Sequence, residues 1–226
     1  LDSFFSGQGT IISGPFAPGS WAYNLDVQPA AFDAPKAIDL LQEAGFTRGA
    51  DGFMQKDGKM LTLSLKVPIE KESEAVKRVV LAFKNYLKNI GVDIKVEFKE
   101  WQAWKEDVFL EHEFDIIFAS WVFDDSADIS SLFHSGEIGP WKNNFGGYAN
   151  PEVDGLINES KLTLDHEKRR TINRKLHALL AEENPYTFLW TLTNYAAYRD
   201  KVRRVAIHPY KFFSFADEWF MEAKDQ

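Results

Sequence analysis

The stretch LTLSLKVPIEKESEAVKRVVLAFKNYLKNIGVDIKVEF, residues 61–98, predicts a strand, a helix and a second strand in succession. Apolar and polar residues alternate over 61–67 and again over 92–98, which is the pattern of a strand with one buried face. Between these strands, residues 73–89 carry apolar side chains at helical spacing, and Gly91 follows as a helix stop. Strands that alternate with helices indicate an α/β fold with a mixed, mostly parallel sheet flanked by helices.

The same alternation extends to both sides of this stretch. Upstream, Asp33 and Gly45 mark the two ends of a short helix, and the dipeptide Asp57-Gly58 predicts a tight hairpin turn. Downstream, a short helix begins near Trp101. It is followed by a continuous apolar run at residues 114–121 (FDIIFASW), which predicts a strand buried on both faces.

The remainder of the chain adds two helices, another strand and a loop. Asn150 and Asp165 are the N-caps of the two helices, and Pro185 follows the end of the second. Residues 186–192 (YTFLWTL) are aromatic and β-branched and predict a strand. Residues 1–28 are rich in glycine, proline and serine and predict a loop that leads into the domain.

Composition excludes several classes of function. Among the 226 residues, 26 are Lys or Arg and 34 are Asp or Glu, so the formal charge of -8 does not supply the basic surface that nucleic acids require. The chain contains no cysteine, which removes disulfides and thiolate metal sites. No apolar stretch approaches the length of about 20 residues that spans a bilayer. Sequence signatures of serine hydrolases, P-loop NTPases and dinucleotide-binding proteins are also missing.

The candidate functional segment is the loop over residues 121–150. It has no helical or strand periodicity and is dense in aspartate, asparagine, glycine and aromatic residues. In open α/β sheets, ligands bind beyond the carboxyl ends of the strands. Because this loop follows the apolar run that ends at Trp121, it lies where a ligand is expected.

Five segments carry a resemblance to a known family. They are AFDAPKAIDLLQEAGF (31–46), LKNIGVDIKVEFKEW (87–101), FDIIFASWVFDDSADISSLFHS (114–135), NNFGGYANPEVDGLI (143–157) and HEKRRTINRKLHALLAEENPYTFLW (166–190). In this order and spacing, they resemble the C-terminal half of bacterial extracellular solute-binding proteins of the dipeptide and oligopeptide type. The resemblance implies a lobe of the type II periplasmic-binding-protein fold.

Such proteins close two lobes around a peptide or similar small solute and deliver it to an ABC permease in the membrane. The resemblance therefore implies a binding protein without enzymatic activity or cofactor. It implies a location in the periplasm or outside the cell, and the protein could be anchored to a lipid at its missing N-terminus. It divides the chain into a connection from the missing first lobe (1–28), a C-terminal solute-binding lobe (29–205) and a closing segment that returns toward the first lobe (206–226). The chain begins with Leu1 rather than methionine, as expected of a piece of a longer protein.

The resemblance also implies a ligand-binding role for a carboxylate in the loop. In the peptide binders of this family, an aspartate three positions after the tryptophan that ends the strand pairs with the ammonium group of the ligand, and Trp121 and Asp124 have this spacing. Asp125 is the alternative in an adjacent register. The sequence Asp-Asp-Ser-Ala-Asp stands where many members have Asp-Tyr-Pro-Asp-Pro, which leaves the class of ligand open.

Six more side chains have competing interpretations. Trp121 either lines the cleft or ends the strand in the core. Asn143, Asn144 and Tyr148 either bond to ligand amides and hydroxyls or serve as turn residues. Trp101 and Trp104, three residues apart on a short helix, either pack in the fold or form a platform for a sugar, and they are interpreted as packing residues.

Three alternative functions remain open at this point, and one of them is a signalling role in which the closed receptor contacts a membrane sensor instead of a permease. The same fold could bind an oligosaccharide, a metal chelate or haem. The acidic loop could instead hold a pair of hydrolase carboxylates such as Asp124 and Asp128. The histidines form no close metal-binding pair, and His166 and His177 are interpreted as surface residues of one helix, so no metal site is predicted.

Overall fold

A computed structural model describes residues 7–69, 74–208 and 211–222. Its helices are α1 (Ala34–Glu43), α2 (Glu74–Asn89), α3 (Trp101–Lys105), α4 (Ser130–Phe133), α5 (Pro151–Leu162) and α6 (His166–Glu183). Its longer strands are β5 (Thr62–Ile69) and β6 (Asp93–Glu100). The short strands are β1 (Gly9–Ile11), β2 (Thr47–Arg48), β3 (Met54–Lys56), β4 (Lys59–Met60), β7 (Ile116–Ile117), β8 (Trp190–Leu192), β9 (Val202–Arg203) and β10 (Phe220–Met221). The predicted start of α2 at Ser73 lies outside the described residues.

The central sheet confirms the predicted α/β fold. Its order is β6-β5-β7, and both pairings are parallel, with Leu65 opposite Val96 on one side and Ile116 on the other. Helix α2 connects β5 to β6 and packs on the sheet through the buried Val80. The alternating apolar residues of the two long strands therefore form one core with this helix.

The local end signals are also confirmed. Asp33 accepts a hydrogen bond from the Lys36 amide, and Asn150 and Asp165 cap α5 and α6 in the same manner. At the hairpin between β3 and β4, Asp57 and Gly58 both have positive φ, as the turn requires. These features depend on neighbours in sequence, which explains why the sequence predicts them correctly.

Two strand predictions are wrong in extent. The run 114–121 forms a strand only at Ile116–Ile117. This strand, β7, lies at the edge of the sheet and pairs with β5 through these two residues. One further bond joins the Phe118 amide to the Lys66 carbonyl (3.1 Å). The run 186–192 forms a strand only at Trp190–Leu192, and its partner is β1 rather than the central sheet. Phe114, Phe118 and Phe188 pack against the core outside these short strands. Ala119, Ser120 and Leu189 are exposed, so the run 114–121 is not buried on both faces as predicted.

The N-terminal segment is more than a connecting loop. Its backbone is mostly irregular, as predicted, but Phe16, Ala22 and Tyr23 are buried in the largest core. They share that core with Leu176 and Leu180 of α6. The segment therefore covers helix α6 and is part of the folded unit.

His177 is buried, which corrects its interpretation as a surface residue. Its Nδ1 accepts a hydrogen bond from the Asn24 amide (3.5 Å), so Nε2 carries the ring hydrogen and donates it to Ser13 Oγ (2.9 Å). The ring lies edge-on to Tyr23, and a Cβ at Gly14 would come within 2.6 Å of Nε2, so only glycine fits there. Burial lowers the pKa of His177 to about 4.

A buried ion pair attaches the segment after α3 to the sheet. The Lys66 ammonium group on β5 is almost fully buried and lies 2.7 Å from an Asp107 carboxylate oxygen. Lys99 on β6 bonds to the same carboxylate. These bonds lower the pKa of Asp107, which lies in the wide helical turn Glu106–Glu111 that continues α3.

The buried imidazole predicts a loss of stability in mild acid. His177 stays neutral in the folded chain, whereas in the unfolded chain it binds a proton near its ordinary pKa of about 6.5, so stability falls as the pH drops from 6.5 to 4. We expect this group to remove about 2 kcal/mol of unfolding free energy between pH 7 and pH 5, measured by urea titration. His177→Gln is expected to lose this pH dependence, whereas the control His166→Gln, at an exposed histidine, is expected to keep it. An equal slope in all three proteins would contradict the prediction.

Candidate functional site

The carboxyl ends of three parallel strands lie at one edge of the central sheet. Strand β5 ends at Ile69, β6 at Glu100 and β7 at Ile117. Trp101 directly follows β6, and the segment 118–128 follows β7. This edge is where open α/β sheets bind their ligands.

The segment after β7 alternates between the core and solvent. Trp121 and Phe123 pack against the core, whereas Val122 is almost completely exposed and Asp124 is exposed. Trp121 stacks on Phe145, with ring centroids 5.9 Å apart and an angle of 19° between the rings. The half-buried Trp121 ring therefore joins this segment to the loop around Phe145, in addition to its contact with the core.

The turn at residues 124–130 supplies its own hydrogen-bond acceptors. Asp124 Oδ1 accepts from the Ser126 amide (2.8 Å), Ser126 Oγ from the Asp128 amide (3.1 Å), and Asp128 Oδ1 from the Ser130 amide (2.9 Å). Each side chain thus caps the backbone two residues further on, which is the hydrogen-bond pattern of Asx and Ser turns. We call residues 124–130 the acidic turn.

The carboxylate of Asp124 is exposed and fixed in place. Hydrogen bonds from Ser126 lower the pKa of Asp124, and the positive charge of Lys211 adds to this effect. Its neighbour Asp125 is also exposed, and the Asp125 backbone carbonyl accepts a bond from the indole Nε1 of Trp21 (3.0 Å). The acidic turn therefore presents an ionised carboxylate at neutral pH.

Asn144 organises its loop from the inside. We expected it as a candidate ligand contact, but the side chain is fully buried and its amide is already bonded. Nδ2 donates to the carbonyls of His134 (3.1 Å) and Tyr148 (2.8 Å), and Oδ1 accepts from the Tyr148 amide (3.0 Å). Both amide hydrogens of Asn144 are thus engaged within the loop.

Tyr148 is tied to the end of helix α6. Its hydroxyl donates to Glu183, whose other carboxylate oxygen accepts from Asn150 Nδ2 (2.6 Å). Burial and the neighbouring Glu183 raise the pKa of Tyr148. Asn143, next to the buried Asn144, is half-buried.

The structure thus separates the predicted site residues into two groups. Trp121, Asp124 and Asp125 lie together on the segment after β7. Asn143, Asn144 and Tyr148 lie on a second loop, which meets this segment where Phe145 stacks on Trp121.

Trp101 is a further candidate, which the sequence interpretation assigned to packing. Its ring is 49% exposed and stacks flat on the buried Trp104, with centroids 5.3 Å apart and an angle of 12°. Trp104 is a packing residue, as predicted, but Trp101 presents an aromatic face at the carboxyl end of β6. The signal that could have identified it is its position directly after a predicted strand.

Neither Asp124 nor Asp128 in the acidic turn has a raised pKa. A glycosidase needs one carboxyl group with a raised pKa to serve as general acid. The pKa of Asp124 is lowered. Partial burial acts to raise the pKa of Asp128, but the bonds of Asp128 to Ser130 and Lys161 outweigh this effect, so its pKa is also lowered. Both groups are therefore carboxylates near neutral pH, which suits binding of a cation.

In the part of the chain that the structure describes, no helix combines the length and the apolar character that a bilayer crossing needs. Within the described ranges, no group of three or more histidine, aspartate or glutamate side chains is arranged so that it could hold a metal ion.

A parallel sheet with flanking helices, aromatic rings and a preorganised carboxylate at its carboxyl edge defines the class of α/β ligand-binding lobes. The family model for bacterial extracellular solute-binding proteins, family 5 Middle, matches residues 1–140. The chain belongs to this family, and its fold is that of a type II periplasmic binding protein lobe, as predicted.

Relatives with known ligands are similar to this chain over most of its length. It is 28% identical to the oligopeptide-binding protein AppA of Bacillus subtilis, over 98% of this chain and 41% of that protein. The structure of AppA in complex with a nonapeptide matches with a TM-score of 0.82 at 26% identity, over 98% of this chain and 44% of AppA. Di/tripeptide-binding protein 1 of Pseudomonas aeruginosa is 25% identical, over 95% of this chain and 38% of that protein. The heme-binding protein A of Haemophilus influenzae is 22% identical, over 95% of this chain and 38% of that protein. The chain thus spans about two fifths of the length of the curated relatives it matches.

The buried Asn144 amide predicts a structural effect of its removal. Asn144→Ala deletes three hydrogen bonds and leaves two carbonyls and one amide of the loop without their partner, so we expect the free energy of unfolding to fall by about 3 kcal/mol in urea titration. The neighbouring Asn143→Ala, at a half-buried position, is expected to change it by less than about 1 kcal/mol. Equal effects of the two substitutions would show that Asn144 does not organise the loop.

Proposed function

We propose that this chain is the C-terminal lobe of a longer receptor that captures peptides between two lobes and delivers them to an ABC permease. The observation that carries the proposal is the exposed, ionised carboxylate of Asp124, which the Ser126 amide orients close to Trp121 at the carboxyl edge of the sheet. The similarity to AppA, whose structure is a complex with a nonapeptide, supports a peptide as the solute.

The ammonium group at the start of a peptide is the proposed partner of Asp124. An ionised carboxylate forms a charge-assisted bond to an ammonium group, and this bond strengthens when closure of the lobes excludes water. Because Ser126 already orients Asp124 Oδ1, little side-chain freedom remains to be lost on binding. The rings of Trp121 and Trp101 would contact apolar parts of the peptide.

The division of the chain follows from the same proposal. We propose that the lobe comprises residues 29–205 together with the part of the N-terminal segment whose Phe16, Ala22 and Tyr23 pack into its core, and that residues 206–226 return toward the first lobe. Exposed apolar side chains of the closing segment include Phe213 (71%) and Phe220 (45%), and such a patch marks an interaction surface. A cavity of about 860 Å³ lies between the N-terminal segment, β8 and this closing segment, and is lined by residues such as Thr10, Leu192 and Phe212. We propose that the first lobe covers this region.

A second candidate keeps the fold and changes the solute. One face of the Trp101 ring stacks on Trp104, and the residue is partly exposed. Such a ring is a platform of the kind that binds a sugar ring or a flat cofactor such as haem. The similarity to heme-binding protein A supports this alternative. In that case, Asp124 would contribute little to affinity, because a sugar has no ammonium group.

The experiment that tests the solute class is mass spectrometry of molecules that copurify with the full-length receptor, before and after denaturation. We expect peptides to be released on denaturation, and we expect them to be intact, since a binding protein does not hydrolyse its ligand. Release of a sugar, a chelate or haem would contradict the peptide assignment. Release of peptide fragments that shorten with time would indicate hydrolysis instead.

The role of Asp124 is tested by substitution in the full-length receptor. Asp124→Asn removes the negative charge with little change in shape, so we expect binding of peptides with a free amino terminus to weaken by about tenfold or more. N-acetylated peptides should lose less than about threefold, because they carry no terminal charge. Asp125→Asn is the matched control and should leave both affinities nearly unchanged, as titration calorimetry can measure. A larger loss in the Asp125 variant would assign the role to the adjacent register.

A further inference from the structure

The acidic turn is held from outside by a tryptophan that is distant in sequence. Trp21 lies on the N-terminal segment, and its indole Nε1 donates a hydrogen bond to the Asp125 carbonyl at 3.0 Å. The bonds within the turn use its amides, whereas this bond uses the Asp125 carbonyl, which points opposite to the Ser126 N–H of the same trans peptide plane. Trp21 therefore holds the turn at a backbone carbonyl, whereas the side chains of the turn hold its backbone amides.

An arginine on helix α6 completes this support. The Arg169 Nη2 donates to the Ser126 carbonyl at 2.8 Å. The Arg169 guanidinium group also lies over the Trp21 ring, 5.3 Å from the ring centroid, and the His166 ring packs against Trp21 with centroids 4.8 Å apart. We call Trp21 and Arg169 the clamp, because they contact each other and bind two successive carbonyls of the turn.

The position of Asp124 depends on these two carbonyls. Asp125 and Ser126 directly follow Asp124, and the Ser126 amide is the group that orients the Asp124 carboxylate. If the carbonyls of Asp125 and Ser126 are released, the peptide plane that carries the Ser126 amide is free to rotate, and the carboxylate loses its fixed direction. The adjoining part of the turn has a separate anchor, because Lys161 lies 3.4 Å from Asp128.

We infer that Trp21 and Arg169 are positioning residues that set the direction of the Asp124 carboxylate and thereby the preference for ligands with a free amino terminus. This inference rests on the proposed function. It assigns part of the specificity of the site to the N-terminal segment and to helix α6, neither of which belongs to the loop that bears the carboxylate.

The test compares two pools of tetrapeptides of random sequence, one with free amino termini and one N-acetylated. Binding of each pool to the full-length receptor is measured by equilibrium dialysis and mass spectrometry. Trp21→Phe removes the indole N–H and keeps a ring beneath Arg169, whereas Arg169→Gln removes the guanidinium donor. The matched controls are Trp141→Phe, at an exposed tryptophan, and Arg170→Gln, which changes a neighbour that pairs with Glu167.

We expect each clamp variant to reduce the preference for free amino termini by about three- to tenfold, which corresponds to the loss of one hydrogen bond. The affinity for the acetylated pool should stay within about twofold, and the controls should keep the full preference. A purely structural role would weaken binding of both pools equally and leave their ratio unchanged, which would overturn the inference.

The other outcomes separate the inference from the proposed function. If Asp124→Asn abolishes the preference while both clamp variants retain it, the inference is wrong and the function of Asp124 stands. If the receptor shows no preference, or Asp124→Asn keeps it, the proposed role of Asp124 fails and the inference fails with it. If circular dichroism shows that neither clamp variant folds, the clamp serves the fold and not the site, which also overturns the inference.

Discussion

Parallel pairing on both sides of β5 is the constraint on which the rest of the structure depends. Parallel strands need crossover connections, which place helix α2 on the sheet and bring three carboxyl ends to one edge. The buried ammonium group of Lys66 in the middle of β5 then requires a partner, and Asp107 provides it from the turn after α3. The ion pair thus fixes the connection between β6 and β7, which determines where the segment with Asp124 leaves the sheet.

The two loops at this edge satisfy their backbone groups in different ways. The acidic turn caps its amides with its own side chains, so its carboxylates remain at the surface. The second loop closes around Asn144, whose amide is buried and fully bonded. The stacked rings of Trp121 and Phe145 join them. The acidic turn therefore presents carboxylates at the surface, and the loop around Asn144 supports the Trp121 ring through Phe145.

The N-terminal segment couples distant parts of the chain. Its Ser13 and Asn24 bond to the buried His177, and its Trp21 reaches the acidic turn. A segment of irregular backbone thereby connects helix α6 to the candidate site. The segment therefore contacts both the core around α6 and the acidic turn.

The sequence by itself determined the features that depend on neighbouring residues and on periodicity. The caps at Asp33, Asn150 and Asp165, the hairpin at Asp57-Gly58, the strands β5 and β6 and the family resemblance were all readable, because each signal lies within a short stretch. The loop with Asp124 was also found, since it lacks periodicity and follows an apolar run. Tertiary structure alone decided where the apolar runs at 114–121 and 186–192 stop pairing, that His177 is buried, and that Asn144 faces inward. It also decided that Trp21 and Arg169 hold the acidic turn. Trp21 lies 104 positions from Asp125 in sequence, and Arg169 lies 43 positions from Ser126, so no local sequence pattern indicates that these residues will meet.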